Sequence, residues 1–376
     1  LGKPCLAHAI MPLLASRIYG TWSRYKYYHH QILSLNYGHM MSVTEELRSH
    51  FTRIPLLMID SVRAHSTQNS QTTKWEKPLG YDSKIMIYHP LLKEKVPLIL
   101  LQEKLVQWYT CGPTVYDSTH IGHASSYVRL DTIRRILNNI FNIDTTLVMG
   151  ITDIDDKIIL KTQQTGQTMN ELTKFYESEF FTSLAKMNVL PPNVIVRVTD
   201  HVPHIIDFIA GIEKKSLTYK VTDGSIYFDI TQYQKYGMFS NIPQGRASEV
   251  DVEKKAIQDF VLWKPSKPGE PSWESPWGRG RPGWHIECSA MASSIFGANF
   301  DIHTGGEDLA FPHHENELAQ SCAYHDRDQW ANYWIHTGHL FLSGQDDKMS
   351  KSLKNVISVS EFLENYTPNH FRMLCL

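Results

Sequence analysis

A chain of 376 residues, 42% of them hydrophobic, can bury a full core and more than one domain. Its 37 basic and 39 acidic side chains leave a formal net charge of −2, which excludes a chain-wide basic surface and restricts any nucleic-acid contact to a local patch. Cys5, Cys111, Cys288, Cys322 and Cys375 form no Cys-x-x-Cys pair and fit a reducing compartment, not a disulfide framework, and no apolar run reaches membrane-spanning length.

Residues 1–44 contain no Asp or Glu, but carry Lys3, Arg17, Arg24 and Lys26 among Ser, Tyr and His. Such a start reads as an organelle transit peptide. Because the first residue is Leu1, it also reads as an untranslated or wrongly assigned leader. Residues 1–74 are set aside from the fold in either case. From 75 to 160, apolar runs alternate with helical periodicity. Strands over 105–110 and 145–149 flank a helix over 129–139, which makes one βαβ unit and implies a parallel sheet. Residues 161–250 read as an insertion, with helices over 169–187 and 202–214, Pro191-Pro192 between them, and a hairpin over 219–230 around Asp223-Gly224. Within 251–345 the chain returns to the sheet. A Pro/Gly/Trp-rich stretch over 263–284 reads as a substrate-facing loop. A helix over 283–295, a short strand over 300–304 and a helix over 312–323 follow. The remainder, 346–376, holds a Lys/Ser loop and, from 362, the beginning of a helix with nothing to pack on.

Cys111 opens a segment that closes on His120-Ile-Gly-His123. Apolar residues precede it and a helical pattern follows it, so it marks a strand-to-helix crossing, where open α/β sheets bind phosphates and small substrates. Two readings stand for the histidines: an anion-handling pair beside Gly122, and a helix-capping cluster. Lys348 and Lys351, in a Ser-containing loop after Gly344-Gln-Asp-Asp, read either as charge for a transferring phosphate or as a solvated basic loop. Cys111, Cys288, His313 and Glu317 supply two thiolates, an imidazole and a carboxylate, a set suited to tetrahedral zinc. His313 and Glu317 stand i, i+4 on one face of the expected helix. These donors come from three distant segments, and a buried cysteine is commonly a small hydrophobe, so the residues alone leave both readings open. Asp153, Asp155 and Asp156 read as capping and ion-pairing residues in preference to a magnesium site.

Taken in order, the blocks Cys-Gly-Pro-Thr-Val-Tyr-Asp (111–117), His-Ile-Gly-His (120–123), Ile-Thr-Asp-Ile-Asp-Asp-Lys (151–157), Gly-Trp-His-Ile-Glu-Cys (283–288), Phe-Pro-His-His-Glu-Asn-Glu (311–317) and Lys-Met-Ser-Lys-Ser (348–352) resemble the cysteinyl-tRNA synthetases over residues 75–376. The organelle form is the closest kind. The resemblance implies a class I, Rossmann-like (HUP-type) α/β catalytic domain on a parallel sheet, with an inserted connective segment and the start of a helical junction. It implies a zinc ion on Cys111, Cys288, His313 and Glu317 that takes the substrate thiolate. A soft thiolate suits that position and the hydroxyl of serine does not, so discrimination needs no editing domain.

By the same carry-over, Gly112 and Thr152 contact L-cysteine, and Trp284 walls its pocket. His120 and His123 stabilise the ATP phosphates. Gly305, Gly306 and Asp308 form the ribose platform, and Lys351, supported by Lys348, offsets charge on the leaving pyrophosphate. His285 and His303 line the pocket. The implied reaction is activation of L-cysteine by ATP-Mg to cysteinyl-adenylate and transfer to tRNA(Cys). The implied protein is a monomer of the mitochondrial matrix, or a cytoplasmic one if the leader is not a transit peptide. Departures are Gly150, where many relatives have Asn, Thr304, where a third Gly is common, and the end at Leu376. Family members continue into an anticodon-binding domain, so a chain ending there is expected to activate cysteine yet charge tRNA poorly. Two alternatives are a cysteine:amino-sugar ligase of related fold and a non-catalytic nucleotide-binding paralogue. The second predicts damaged ligand positions, and those positions are intact.

Overall fold

The computed structural model describes residues 75–239, 253–341, 349 and 356–376. In chain order the elements are β1 (Tyr81–His89), β2 (Glu94–Leu100), β3 (Leu105–Thr114), α1 (Ile121–Asn139), β4 (Asp144–Thr152), α2 (Asp156–Thr165), α3 (Met169–Lys186), β5 (Val194–Arg197), α4 (Val198–Glu213), β6 (Thr218–Lys220), β7 (Ile226–Phe228), β8 (Phe260–Pro265) and β9 (Gly280–Pro282). They continue with α5 (Trp284–Phe296), β10 (Phe300–Gly306), α6 (Glu315–His325), β11 (Ala331–Thr337), α7 (Val359–Asn365) and α8 (Pro368–Cys375). A π-turn, Ala310–His314, leads into α6.

Five strands make one parallel sheet in the order β11-β10-β3-β4-β5. Parallel strands are covered on both faces and so read as nearly continuous apolar runs. Val106, Trp108 and Tyr109 of β3, and Val148, Met149 and Ile151 of β4, are all buried. From β3 the chain passes through α1 to β4 on one side, and from β10 through α6 to β11 on the other. The crevice beyond the carboxyl ends of β3 and β10 is therefore the switch point where such sheets bind ligands. One face of the sheet packs on α4 and α5, with Ile205, Ile209, Ala290 and Met291 in the same cluster as Cys111 and Cys288. The other is covered by the antiparallel β1–β2 pair, whose Val96, Leu98 and Leu100 meet Trp108, Leu130 and Ile302.

Local chemistry sets the helix ends. Asp155 accepts from Lys157 N at 2.8 Å to start α2, and Gly166 closes it in the left-handed conformation at φ 70°. Thr168 and Glu171 form a capping box on α3. Asp156 pairs with Lys264 at 2.9 Å and with Arg281, and Asp153 accepts from Thr199 N at 3.0 Å. The three carboxylates thus cap and pair.

Three expectations change. Val194–Arg197, inside the segment read as an insertion over 161–250, is the edge strand β5 of the parallel sheet. Four residues of mixed exposure after a Pro-Pro pair are too short a run to mark a strand by pattern. The stretch 263–284 is not a free loop, because β9 pairs with β8 and β8 with β7 in the four-stranded antiparallel sheet β6-β7-β8-β9, which buries Trp263 and Arg281. The helix read from 362 divides at Thr367-Pro368, where Thr367 caps a new helix and Pro368 occupies its first turn. That helix, α8, does pack. Phe371 is fully buried, and Arg372 meets Asp131 of α1 at 2.5 Å.

Candidate active site and metal centre

The sheet brings four sequence-distant donors to one point. Cys111 lies near the end of β3, Cys288 in the second turn of α5, His313 in the π-turn, and Glu317 in the first turn of α6. Their donor atoms all lie within 4.8 Å of one another, and all four residues are buried. Cys111 Sγ is 3.8 Å from Cys288 Sγ and 3.7 Å from Glu317 Oε1, and His313 Nε2 is 3.0 Å from that oxygen. Donors about 2.0–2.3 Å from a tetrahedral zinc stand about 3.3–3.8 Å apart, so this set fits a zinc ion with little adjustment. His313 sits in the π-turn and not on the regular helix, yet still meets Glu317.

A second set shares two of those donors: Cys111, His303, His314 and Glu317. Metal-bound imidazoles almost always hand their other nitrogen to a partner. His313 does so, with Nδ1 2.9 Å from His285 Nδ1, whereas the buried Nδ1 of His303 has no partner. His303 Nε2 instead lies 2.7 Å from Glu317 Oε2, and His314 Nδ1 lies 2.8 Å from His336 Nε2. The first set is therefore the better metal site, with His303 orienting its carboxylate. His314, His336 and Glu287 are site residues that sequence reading passed over. The spacing of His314 to Glu317, i, i+3, was the one local signal for any of them.

Electrostatics match this layout. Burial pushes the Cys111 thiol well above its usual range, while the hydrogen bond from Cys111 pulls Cys288 down to about 6. Burial works against ionised Glu317, but the neighbouring His303 and His313 hold it well below the usual carboxylate range. Burial likewise opposes a charged His313, and Glu317 overrides it to about 10. Thr152, at the end of β4, donates to Glu287 Oε2 at 3.0 Å, and burial raises that carboxyl well above its usual value.

The remaining residues surround this point. Gly112 is a close-approach glycine: a Cβ there would stand 2.1 Å from Gly150 O. Trp284 stacks on His313 with ring centroids 4.3 Å apart and is 42% exposed. His120 is the N-cap of α1 and accepts from His123 N at 3.4 Å, and the two imidazoles stack at 3.8 Å. The capping reading is thus seen directly, and the ring that caps the helix stands at its positive end. Gly305 and Gly306 end β10. A Cβ on Gly305 would meet His314 Nε2 at 2.8 Å, and Asp308 pairs with His339 at 3.0 Å. Lys348 and Lys351 lie outside the described residues. Their flanks do not: Met349 Cβ is 3.2 Å from a Cβ position on Gly122, and Ile121 N donates to Ile357 O at 2.9 Å.

Residues 98–376 match the family described as "tRNA synthetases class I (C) catalytic domain". A Xenopus tropicalis protein named "Probable cysteine--tRNA ligase, mitochondrial" is 52% identical over 304 residues, covering 80% of this chain and 53% of that protein. The chain belongs to the cysteine–tRNA ligase family. Other members of the family include a cytoplasmic Dictyostelium discoideum enzyme, 45% identical over 85% of this chain and 50% of its own length. A Methanococcus maripaludis enzyme is 46% identical over 77% of this chain and 60% of its own length. The chain thus spans about half to three-fifths of the curated cysteine–tRNA ligases it matches. Neither the amino-sugar ligase nor the non-catalytic paralogue finds support among these relatives. Two structures of Mycobacterium tuberculosis methionyl-tRNA synthetase share the fold, with TM-scores of 0.54 and 0.53 at 15% identity, covering 73% and 72% of this chain and 64% of each of theirs. Among the described residues no helix is long and apolar enough to cross a membrane.

Proposed function

We propose that this chain is the catalytic part of a cysteine–tRNA ligase that activates L-cysteine with ATP-Mg to cysteinyl-adenylate and passes the cysteinyl group to tRNA(Cys). The observation that carries the reading is the buried Cys111–Cys288–His313–Glu317 set at the switch point of the sheet, beside the His120-capped start of α1. Bound there, zinc supplies a soft Lewis-acid position that accepts a thiolate and discriminates against a hydroxyl.

The chain's own groups do the rest. Gly112 lets β3 close onto β4 beside the substrate, Thr152 offers its hydroxyl oxygen, and Trp284 excludes water from one side. These contacts aim the carboxylate of cysteine at the α-phosphate, so that catalysis is positioning plus charge stabilisation, with no protein nucleophile. His120 and His123 stand where the triphosphate crosses the positive end of α1. Gly305, Gly306 and Asp308 take the ribose. Lys351 and Lys348 neutralise the leaving pyrophosphate, a role supported by Met349, which stands between them in sequence and approaches Gly122 of the histidine block. The mitochondrial name of the Xenopus relative and the acid-free start support a place in the mitochondrial matrix.

ATP–pyrophosphate exchange tests this directly. Exchange should depend on cysteine, and serine should support it about 10⁴-fold less well. Cys288→Ala should abolish both exchange and stoichiometric zinc. Robust exchange without cysteine, or full zinc retained by that variant, would sink the reading.

A further inference from the structure

One unsatisfied polar group beside the metal centre is a phenol. Tyr109 is fully buried, and its hydroxyl has no hydrogen-bond partner. A hydroxyl left that way costs about 1–3 kcal/mol, and phenylalanine would fill the same space without the cost. Three observations place this hydroxyl. Tyr109 stands two residues before Cys111 on β3, so both side chains leave the same face of the strand. The hydroxyl oxygen lies 2.1 Å from where a Cβ on Gly150 would stand, and Gly150 is the residue paired with Cys111 across β3–β4. Met291 Cε reaches within 3.2 Å of that same point, and Met291 is three residues after Cys288 on α5. The phenol therefore ends between the two elements that carry the cysteines, in a slot that exists because residue 150 has no side chain.

We propose that Tyr109 is a positioning residue of the metal centre, its hydroxyl donating a hydrogen bond to the Cys288 sulfur when that sulfur is a metal-bound thiolate. The inference rests on the zinc site argued above. Without a metal, the Cys111 and Cys288 sulfurs face each other at 3.8 Å and share a hydrogen bond. Metal coordination takes the proton from both ligands, and Cys288 then needs a new donor. No proton changes hands in the bond itself. Partners of this kind around a metal commonly govern affinity by about 10–100-fold.

Tyr109→Phe removes the donor and leaves the ring. Three measurements on the whole chain decide the matter: zinc affinity by chelator competition, the thiolate-to-cobalt charge-transfer band of the Co(II)-substituted protein, and the melting temperature after chelator treatment. The variant should bind zinc about ten-fold or more weakly. Its cobalt band should move to longer wavelength, because a thiolate without a hydrogen bond is easier to oxidise. Its chelator-treated form should melt no lower than wild type, since a partnerless hydroxyl has been deleted. Zinc affinity within about two-fold of wild type, with an unmoved band, overturns the proposal. So does a chelator-treated variant that melts several degrees lower or fails to fold, which would make the hydroxyl a structural group. Wild-type protein that takes up no stoichiometric zinc or cobalt overturns the metal-centre reading itself, and that outcome is read from the wild-type arm alone.

Discussion

Position 112 tolerates no side chain. An added Cβ would stand 2.1 Å from Gly150 O and 3.0 Å from Met149 Cγ, and the first of these is backbone in the middle of the parallel sheet. Gly112→Ala therefore forces β3 and β4 apart beside the metal donors. The expected cost is about 1–3 kcal/mol in urea denaturation, together with loss of cysteine-dependent exchange; normal exchange in this variant would show that the pocket does not need that close approach. The same residue-scale view shows why the site was only partly legible. Cys111, Cys288, His313 and Glu317 each lie in a recognisable local block, so their identities could be read along the chain. Their partners could not. His336 reaches His314 because β10 and β11 pair with Gly305 opposite His336, and His303 reaches Glu317 from β10 across to α6. Such meetings depend on sheet register over long separations, which no spacing in the chain records.

Among the elements, helices announced themselves through their ends and short strands did not. Thr168 with Glu171, Asp155 before α2, and Thr367 with Pro368 are all sequence-local signals with a stated mechanism. Reading the last of these would have divided the helix expected from 362. β5, β6, β7 and β9 have three or four residues each, below the length at which alternation can be told from chance. The docking of α8 on α1 rests on Asp131, which is buried and accepts from Arg135 at 2.7 Å, from Arg372 at 2.5 Å and from Leu190 N at 3.0 Å. Arg372→Ala leaves Arg135 and Leu190 in place and should cost about 1.5 kcal/mol, whereas Asp131→Ala strands three donors and should cost about 3 kcal/mol or more. Equal losses from the two variants in chemical denaturation would show that Arg372 alone carries the contact.

For the molecule as a whole, the acid limit of stability has an identifiable contributor outside the active site. His89 ends β1 fully buried between Trp75 and Tyr333, at ring separations of 5.1 and 6.2 Å, and neither of its nitrogens finds a hydrogen bond. Burial lowers its pKa to about 4 from an ordinary 6.5. The folded state therefore holds the ring neutral while the unfolded chain protonates it near 6.5. Its share of stability is complete above that pH and is lost as pH falls from 6.5 toward 4. Asp301 acts in the opposite sense over an overlapping window. Burial raises its carboxyl to about 6, against the pull of Gln107 N and Leu101 N, so the folded state gains protons first and is favoured as pH falls from 6 toward 3.8. The two effects partly cancel in wild type, and only a difference measurement separates them. His89→Phe keeps a ring between Trp75 and Tyr333 and removes the titration. Urea denaturation at pH 7.5 and 5.5 should show wild type losing about 1 kcal/mol more than the variant over that interval. At pH 7.5 the variant should be at least as stable, since two unpaired ring nitrogens give way to carbon. Parallel pH profiles for the two proteins would mean that water or a rearranged backbone reaches the imidazole, and that acid sensitivity arises elsewhere in the fold.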